Sequence, residues 1–490
     1  MTLKNSSNFF RRTLATLAAF SLLGASAISA AADEKVQLAK GDVGVQLFMW
    51  NWNSVAKECV SNLGPNGIDW VLVMPPQEHV AGAEWWVHYQ PVSYKIESRL
   101  GSRAEFAGMV SACKNAGVKV VADVVINHMA ARDASIGWAG TATDKYEYPG
   151  LYTDADFHQT KAEIKNWSDL NEVQNYQLLG LPDLDTSRSN VQNKIASYLN
   201  DLLSLGVYGF RVDAARHIAA ADLLSIKEKV GNAYWISEVA NDLNPDISEY
   251  YPLGDVWEFS WAIAMAEIFR MPGDASYLAQ DMRDLSTYSP SESAVSMVTN
   301  HDKERSGDSL TTDYAKGFEL ATIFTLAHPY AKPMLYSGYA PETYDSPPVR
   351  KATGEIVDVT CKSVAPKKIY GANEWACQHR WNSVSGMIAF RDSTLDAKLT
   401  DLRSSKGVAS LGREAKGHLV INSNSKSTKI KVKTRMKPGV YCDLVSGTKA
   451  ANSVSKKCRG KTVSVDKSGY INFTLTPQTA LAISVDSLRK

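Results

Sequence analysis

The chain has 490 residues, 44% apolar and 21% charged, too long for one small domain and ordinary for a folded globular protein. Its formal charge is +1 with no basic run, so nothing in it calls for nucleic acid, and near-neutrality suits an uncharged polymer such as a polysaccharide. Beyond residue 35 no apolar stretch is long enough to span a bilayer.

At the N-terminus, Lys4, Arg11 and Arg12 precede an apolar run from Thr13 to Leu23 and the small-residue tract GASAISAAADE. That is the layout of a secretory signal peptide, with cleavage expected between Ala27 and Ala32 and an exported mature chain. Eight short β-rich runs follow: VGVQLFMW from Val43, DWVLVMPP from Asp69, VKVVADVVINH from Val118, VYGFRVDAARH from Val207, AYWISEVA from Ala233, DVWEFSW from Asp255, AVSMVTNHD from Ala294 and AKPMLYSGY from Ala331. Near-continuous apolar strands belong to a sheet buried on both faces. Helical patterns separate them. One starts at Ser102, where Ser102 and Glu105 form a capping-box pair and Phe106, Met109, Val110 and Cys113 share a face. Another follows Asp185, with Val191, Ile195, Tyr198, Leu199 and Leu202 as its stripe. Eight βα units predict a closed (β/α)₈ barrel.

The stretch from Asn127 to about Asp183 is too long for an ordinary βα loop and is read as a small inserted subdomain. Beyond about Asp396, GHLVINS, KIKVKT, GVYCDLV and YINFTLT alternate with Gly, Ser and Asn turns, which predicts an antiparallel β-sandwich. The expected division is a leader over 1–32, a barrel over 33–127 and 184–396, the insertion over 128–183 and an all-β domain over 397–490. Six cysteines remain in the mature chain. An even count in an exported protein predicts disulfides, with fifteen formal connectivities. Spacing favours Cys361–Cys377 and Cys442–Cys458, each bracketing one loop, and Cys59–Cys113 on the helices after the first two strands.

Polar residues gather at the C-terminal ends of the runs: Asn127, His128, Arg211, Asp213, Glu238, His301 and Asp302. Barrel enzymes carry their chemistry on that rim, because the barrel interior is filled with side chains. A carboxylate leaving an apolar strand is costly to bury unpaired; any one of Asp213, Glu238 and Asp302 could be structural, but three on one rim argue for chemistry. Glycoside hydrolysis needs two carboxylates about the scissile bond, and the acid of the pair must hold its proton near neutral pH. Arg211, two residues before Asp213, points to the same face and would keep Asp213 ionised. Trp85, Trp86, Tyr89 and Gln90 form an aromatic-polar cluster suited to stacking on pyranose rings.

The segments GFRVDAARH, WISEVA and VTNHDKE, with DVVINH upstream, resemble the four signature segments of the alpha-amylase family of glycoside hydrolases. WWVHYQPVSYKI, GLPDLDTS, EWACQHRW and GVYCDLVSG resemble the subgroup holding the animal pancreatic and salivary enzymes. The resemblance runs from about residue 43 to the C-terminus. It implies endo-hydrolysis of starch, glycogen and malto-oligosaccharides by a secreted monomer, with Asp213 as nucleophile, Glu238 as general acid and base, and Asp302 as stabiliser of the distorted sugar. Retaining chemistry would set nucleophile and acid about 5 Å apart. It also implies sugar contacts from Trp86, Tyr89, Gln90, His128, His301, Arg216 and His217, an indirect role for Asp123, and a structural calcium held by Asn127, Asp183 and the backbone carbonyls of Gln174 and His217. Chloride is implied through Arg211 and Asn300, but the third, basic position falls on Met334, with Lys332 close by in sequence. The alternatives are an exo-acting or transglycosylating relative and a carbohydrate-binding barrel without activity.

Overall fold

The computed structural model describes residues 36–39, 41–240, 244–447 and 458–489; the expected signal peptide lies outside them. The eight apolar runs each supply one strand: β1 (Gly44–Leu47), β2 (Trp70–Val73), β3 (Lys119–Val124), β4 (Gly209–Val212), β5 (Tyr234–Ser237), β6 (Asp255–Glu258), β7 (Ala294–Met297) and β8 (Lys332–Ser337). Each pairs in parallel with its chain neighbours, and β1 closes on β8. Trp70, Leu72, Val121, Ile236, Trp257, Val295, Met297 and Met334 form one cluster of buried side chains on these strands. The larger core lies between strands and helices. The helix Arg103–Asn115 begins at Ser102, and the Ser102–Glu105 capping box forms because each side chain satisfies a backbone N–H that the first turn leaves unpaired. Cys59–Cys113, with sulfurs 2.02 Å apart, ties this helix to the one that follows β1.

The insertion is fastened at its stem. His128 and Asp183 form an antiparallel bridge, and Leu184 N–H donates to Asn127 O at 2.9 Å. Within it lie a two-stranded ladder, Ser135–Ile136 with Ala142–Thr143, and a helix at Leu170–Asn175. The C-terminal region folds as two four-stranded antiparallel sheets around Val420, Tyr441, Val463, Ile471, Leu481 and Ile483. It is joined to the barrel's helical layer through Arg413, which is buried. Its guanidinium donates to Ala327 O and Thr394 O, at the C-terminal ends of the helices Ala315–Ala327 and Asn382–Thr394, where carbonyls are unpaired and a cation is favoured. Cys361–Cys377 and Cys442–Cys458 are also bonded. No helix among the described residues is long and apolar enough to cross a membrane.

Candidate active site

Asp213 and Glu238 stand just past their strands, because the strands end sooner than the apolar runs; Asp302 lies further on, at the start of the helix Lys303–Ser306. Asp213 N–H donates to Val124 O at 3.0 Å, and Glu238 N–H to Val212 O at 3.2 Å. Each acid therefore adds one last rung to its ladder, and its side chain is released at the barrel mouth. Next in the chain, Ala214 turns into the left-handed region with φ +49°, a strained choice for a residue with a Cβ. That turn aims Ala214 N–H at Glu238 Oε2, 2.8 Å away.

Arg211 is the hub. Its Nη1 donates to both oxygens of Asp123, at 2.7 and 2.9 Å, and to Asp213 Oδ1 at 2.8 Å. Its Nη2 lies 2.7 Å from Glu238 Oε1, a close charge contact without hydrogen-bond alignment. Trp257 covers one face of the guanidinium, 4.3 Å from the ring centre. Side-chain exposure sorts the acids by role: Asp123 1%, Asp213 11%, Glu238 19% and Asp302 45%. Asp123 is out of a substrate's reach and is held by Tyr89 Oη at 3.0 Å; the other three are not. Burial pushes Asp123 up to about 6, and it raises Asp213 as well, with the Glu238 carboxylate adding to the rise; Arg211 is the group pulling both back down.

Burial disfavours the protonated form of His128 and His301. Burial drives His128 down to about 4 and His301 well below its ordinary range, with Arg211 adding to the second. His128 donates from Nε2 to Tyr89 O at 2.9 Å. Gln46 Nε2 donates to His301 Nδ1 at 3.0 Å, which leaves the His301 proton on Nε2, 3.3 Å from Asp302 Oδ2. The His301 ring is stacked between Tyr89 (5.1 Å) and Phe48 (5.0 Å).

The aromatic cluster divides. Trp85 is buried, with its N–H given to Tyr344 O at 2.7 Å, so it supports the wall and does not offer a face to sugar. Its neighbour Trp86 is partly exposed and donates to Asp345 Oδ1 at 2.9 Å. Gln90 Oε1 accepts from Ala131 N–H at 3.2 Å. On the Glu238 side, Arg216 Nε donates to Asn244 O at 3.0 Å. His217 is buried and bonds Val173 O through Nδ1 at 2.8 Å, so its ring is turned into the insertion. Sequence reading missed Trp167. It is 39% exposed and sits against His217, edge to face at 5.9 Å, with the Arg216 guanidinium 5.8 Å over its ring. A lone Trp in an aperiodic insertion gave no signal; its exposure does.

The positions named for calcium fall in two pairs. Asn127 and Asp183 share a side-chain hydrogen bond beside the His128–Asp183 bridge at the stem. Gln174 follows Val173, whose carbonyl holds the His217 ring. Asp183 is buried and pushed up to about 7 by that burial, against the pull of the His158 imidazole 2.6 Å away. One carboxylate, one amide and two backbone carbonyls fit a hard, oxygen-seeking cation. Among the described residues no group of three or more His, Cys, Asp or Glu side chains could hold a metal.

The chloride set is met only in part. Arg211 Nε and Asn300 Nδ2 are buried donors without an acceptor, but Met334 is packed in the barrel core. Lys332 starts β8 and is ion-paired with Asp255 at 2.9 Å, at the opposite end of the strands from the acids.

A parallel eight-stranded barrel with three carboxylates and two buried histidines at its mouth, followed by a β-sandwich, defines a class of carbohydrate-cleaving hydrolases. The comparisons with known proteins agree. Residues 85–252 match the alpha amylase catalytic domain and residues 402–486 the alpha amylase C-terminal all-beta domain. An alpha-amylase of Streptomyces violaceus is 38% identical over 97% of this chain and 80% of its own length. An alpha-amylase-related protein of Drosophila simulans is 35% identical over 87% and 89%. Alpha-amylase I of the earthworm Eisenia fetida superimposes with a TM-score of 0.83 at 29% identity, covering 92% of this chain and 99% of that one; a variant of it has been crystallised with maltohexaose. The chain belongs to the alpha-amylase family and is a hydrolase of that family.

Proposed function

We propose that the chain is an endo-acting alpha-amylase that cleaves internal α-1,4-glucosidic bonds of starch, glycogen and malto-oligosaccharides with retention of configuration. One observation carries the reading: Asp213 and Glu238 are both in contact with the single guanidinium of Arg211. Carboxylates that share one fork are set for the short separation of a retaining pair, not the wider gap that an inverting enzyme keeps for water. Asp213, hydrogen-bonded to Arg211, attacks the anomeric carbon. Glu238 gives its proton to the departing oxygen and then takes one from water. Asp302, with His301 and His128, binds the hydroxyls of the distorted ring, and Trp86 and Trp167 offer faces on either side of the cut. The maltohexaose complex of the earthworm enzyme supports a chain of glucose units as ligand. Reduced viscosity of soluble starch should far outpace the rise in reducing ends, and proton NMR of the first product should show the α-anomer. A β-anomer as first product, or maltose released in step with viscosity loss, would overturn this reading.

Asn127, Asp183 and the carbonyls of Gln174 and His217 would hold calcium. The ion, when bound, supplies a charge that balances buried Asp183 and ties the insertion to the rim. Residues 128–183 then form the calcium-associated unit, between barrel segments 33–127 and 184–396, with 397–490 as the β domain. Chelation is expected to lower the melting temperature. At a hundredfold excess over Kd, bound ligand contributes about 2.7 kcal/mol, which is roughly 3 °C for a chain this long. An unchanged melting temperature after metal analysis shows no bound calcium would count against the site. Three disulfides support an oxidising, extracellular destination.

A further inference from the structure

Behind Asp302 and His301 lies a cation that the catalytic scheme leaves unused. Arg305 is on the short helix Lys303–Ser306, whose first turn is hung from Asp302: Arg305 N–H donates to Asp302 O at 3.0 Å. The side chain folds back beneath the pair. Its Nη1 donates to His301 O at 2.9 Å. Its guanidinium is enclosed by the rings of Phe48 (4.7 Å), Trp85 (4.9 Å) and Tyr339 (5.1 Å), and Nε and Nη2 are shut off from solvent. Among the described residues no carboxylate oxygen pairs with it; the adjacent Glu304 is turned to Thr312. A buried guanidinium held by ring faces is an expensive way to fill space. The rings that enclose it are the ones that order the site. Tyr339, Phe48, His301 and Tyr89 stand nearly parallel in sequence, at 13°, 16° and 5°, and Trp85 meets Phe48, His301 and Tyr89 edge-on.

We propose that Arg305 is a positioning residue for the Asp302–His301 pair: clamped by Phe48, Trp85 and Tyr339 and bonded to the His301 carbonyl, it fixes the pair against the distorted sugar and keeps a positive charge behind it. This rests on the assignment of Asp302 and His301 to the substrate. The titratable and charged groups facing Asp302 are Arg211, Arg305, Lys303, His301, Asp213, Tyr89 and Tyr344; those facing His301 are Arg211, Glu238, Asp302, Arg305 and the stacked Tyr89. Lys303 is engaged with Asp308 at 2.6 Å and Arg211 with its three acids, so among the described residues Arg305 is the cation beside this pair that has no carboxylate partner of its own. Desolvation at the rim raises Asp302 even with its side chain 45% exposed, and Arg211, Arg305 and Lys303 oppose the rise. Burial lowers His301; Arg211 adds to that, Glu238 opposes it, and Arg305 adds a smaller push in the same direction. Removing Arg305 therefore lets both groups take up a proton at higher pH.

The test compares Arg305→Met, Arg305→Lys and Asp302→Asn on a soluble malto-oligosaccharide. Arg305→Met keeps the stem among the rings and removes the charge. Its kcat should fall roughly 10- to 100-fold, the scale of a small misplacement of reacting groups, with KM changed less than about 3-fold and the acid limb of kcat moved to higher pH. Arg305→Lys should restore the acid limb while leaving kcat below the parent, since ammonium lacks the planar fork. If Arg305→Met does not fold, Tyr339→Leu, which opens one wall of the cage, should reproduce the kcat loss. An unmoved acid limb in Arg305→Met, or Arg305→Lys no better than Arg305→Met, overturns the inference. An active Asp302→Asn instead overturns the assignment on which it rests.

Discussion

Asp213→Asn is expected to lower kcat by roughly 10⁴- to 10⁶-fold, the scale seen when a covalent nucleophile is removed, while malto-oligosaccharide binding stays within a few-fold of the parent. The side chain keeps its shape, so Arg211 loses charge pairing on one of three acids and the fold keeps its core. Glu238→Gln should behave differently. It removes the proton donor and leaves the nucleophile, so its loss, about 10²- to 10⁴-fold, depends on the leaving group. With a maltosyl fluoride, whose departing fluoride needs little protonation, the first step should recover most of its rate and the glycosyl-enzyme should accumulate, since the base for water is missing. Intact-protein mass spectrometry reads the adduct directly. Adduct on Glu238→Gln and none on Asp213→Asn is the expected pair of results; adduct on Asp213→Asn would reverse the two roles.

The strands were legible because a sheet buried on both faces writes itself as uninterrupted apolar runs, and the acids because their charge breaks those runs at one end. Where each run stops being strand was not legible: FRVDAARH contains both the last strand residue, Val212, and the turn at Ala214, whose positive φ has no glycine to announce it. Trp85 and Trp86 are neighbours of the same type, and only the packed wall decides that one is buried and the other reaches solvent. Lys332 is two residues from Met334 in sequence, but a strand carries side chains along its length, and β8 leaves that lysine at its foot beside Asp255. Arg305 carries no motif at all. Its place depends on Phe48 from after β1, Trp85 from after β2 and Tyr339 from after β8 meeting at one point, which only closure of the barrel brings about.

Arg211→Met is expected to cost more stability than any surface substitution. Exposed ion pairs are worth about 0–1 kcal/mol. Here the guanidinium is fully buried and holds Asp123, Asp213 and Glu238 at once. Removing one partner of a buried pair costs about 3–5 kcal/mol because the other charge is left unbalanced. The acids limit the damage by taking up protons, and that sets a sign. Burial already raises Asp123 and Asp213 against the pull of Arg211; without the pull both rise further. The folded variant then binds protons near neutral pH that its unfolded chain has released, so its stability falls as pH rises, by about 1.4 kcal/mol per unit for each proton retained. The parent, whose acids are paired, should show a shallower dependence between pH 5 and 8. Urea titrations of both proteins across that range measure it. A variant whose stability runs parallel to the parent's would mean that Arg211 is not what balances these acids.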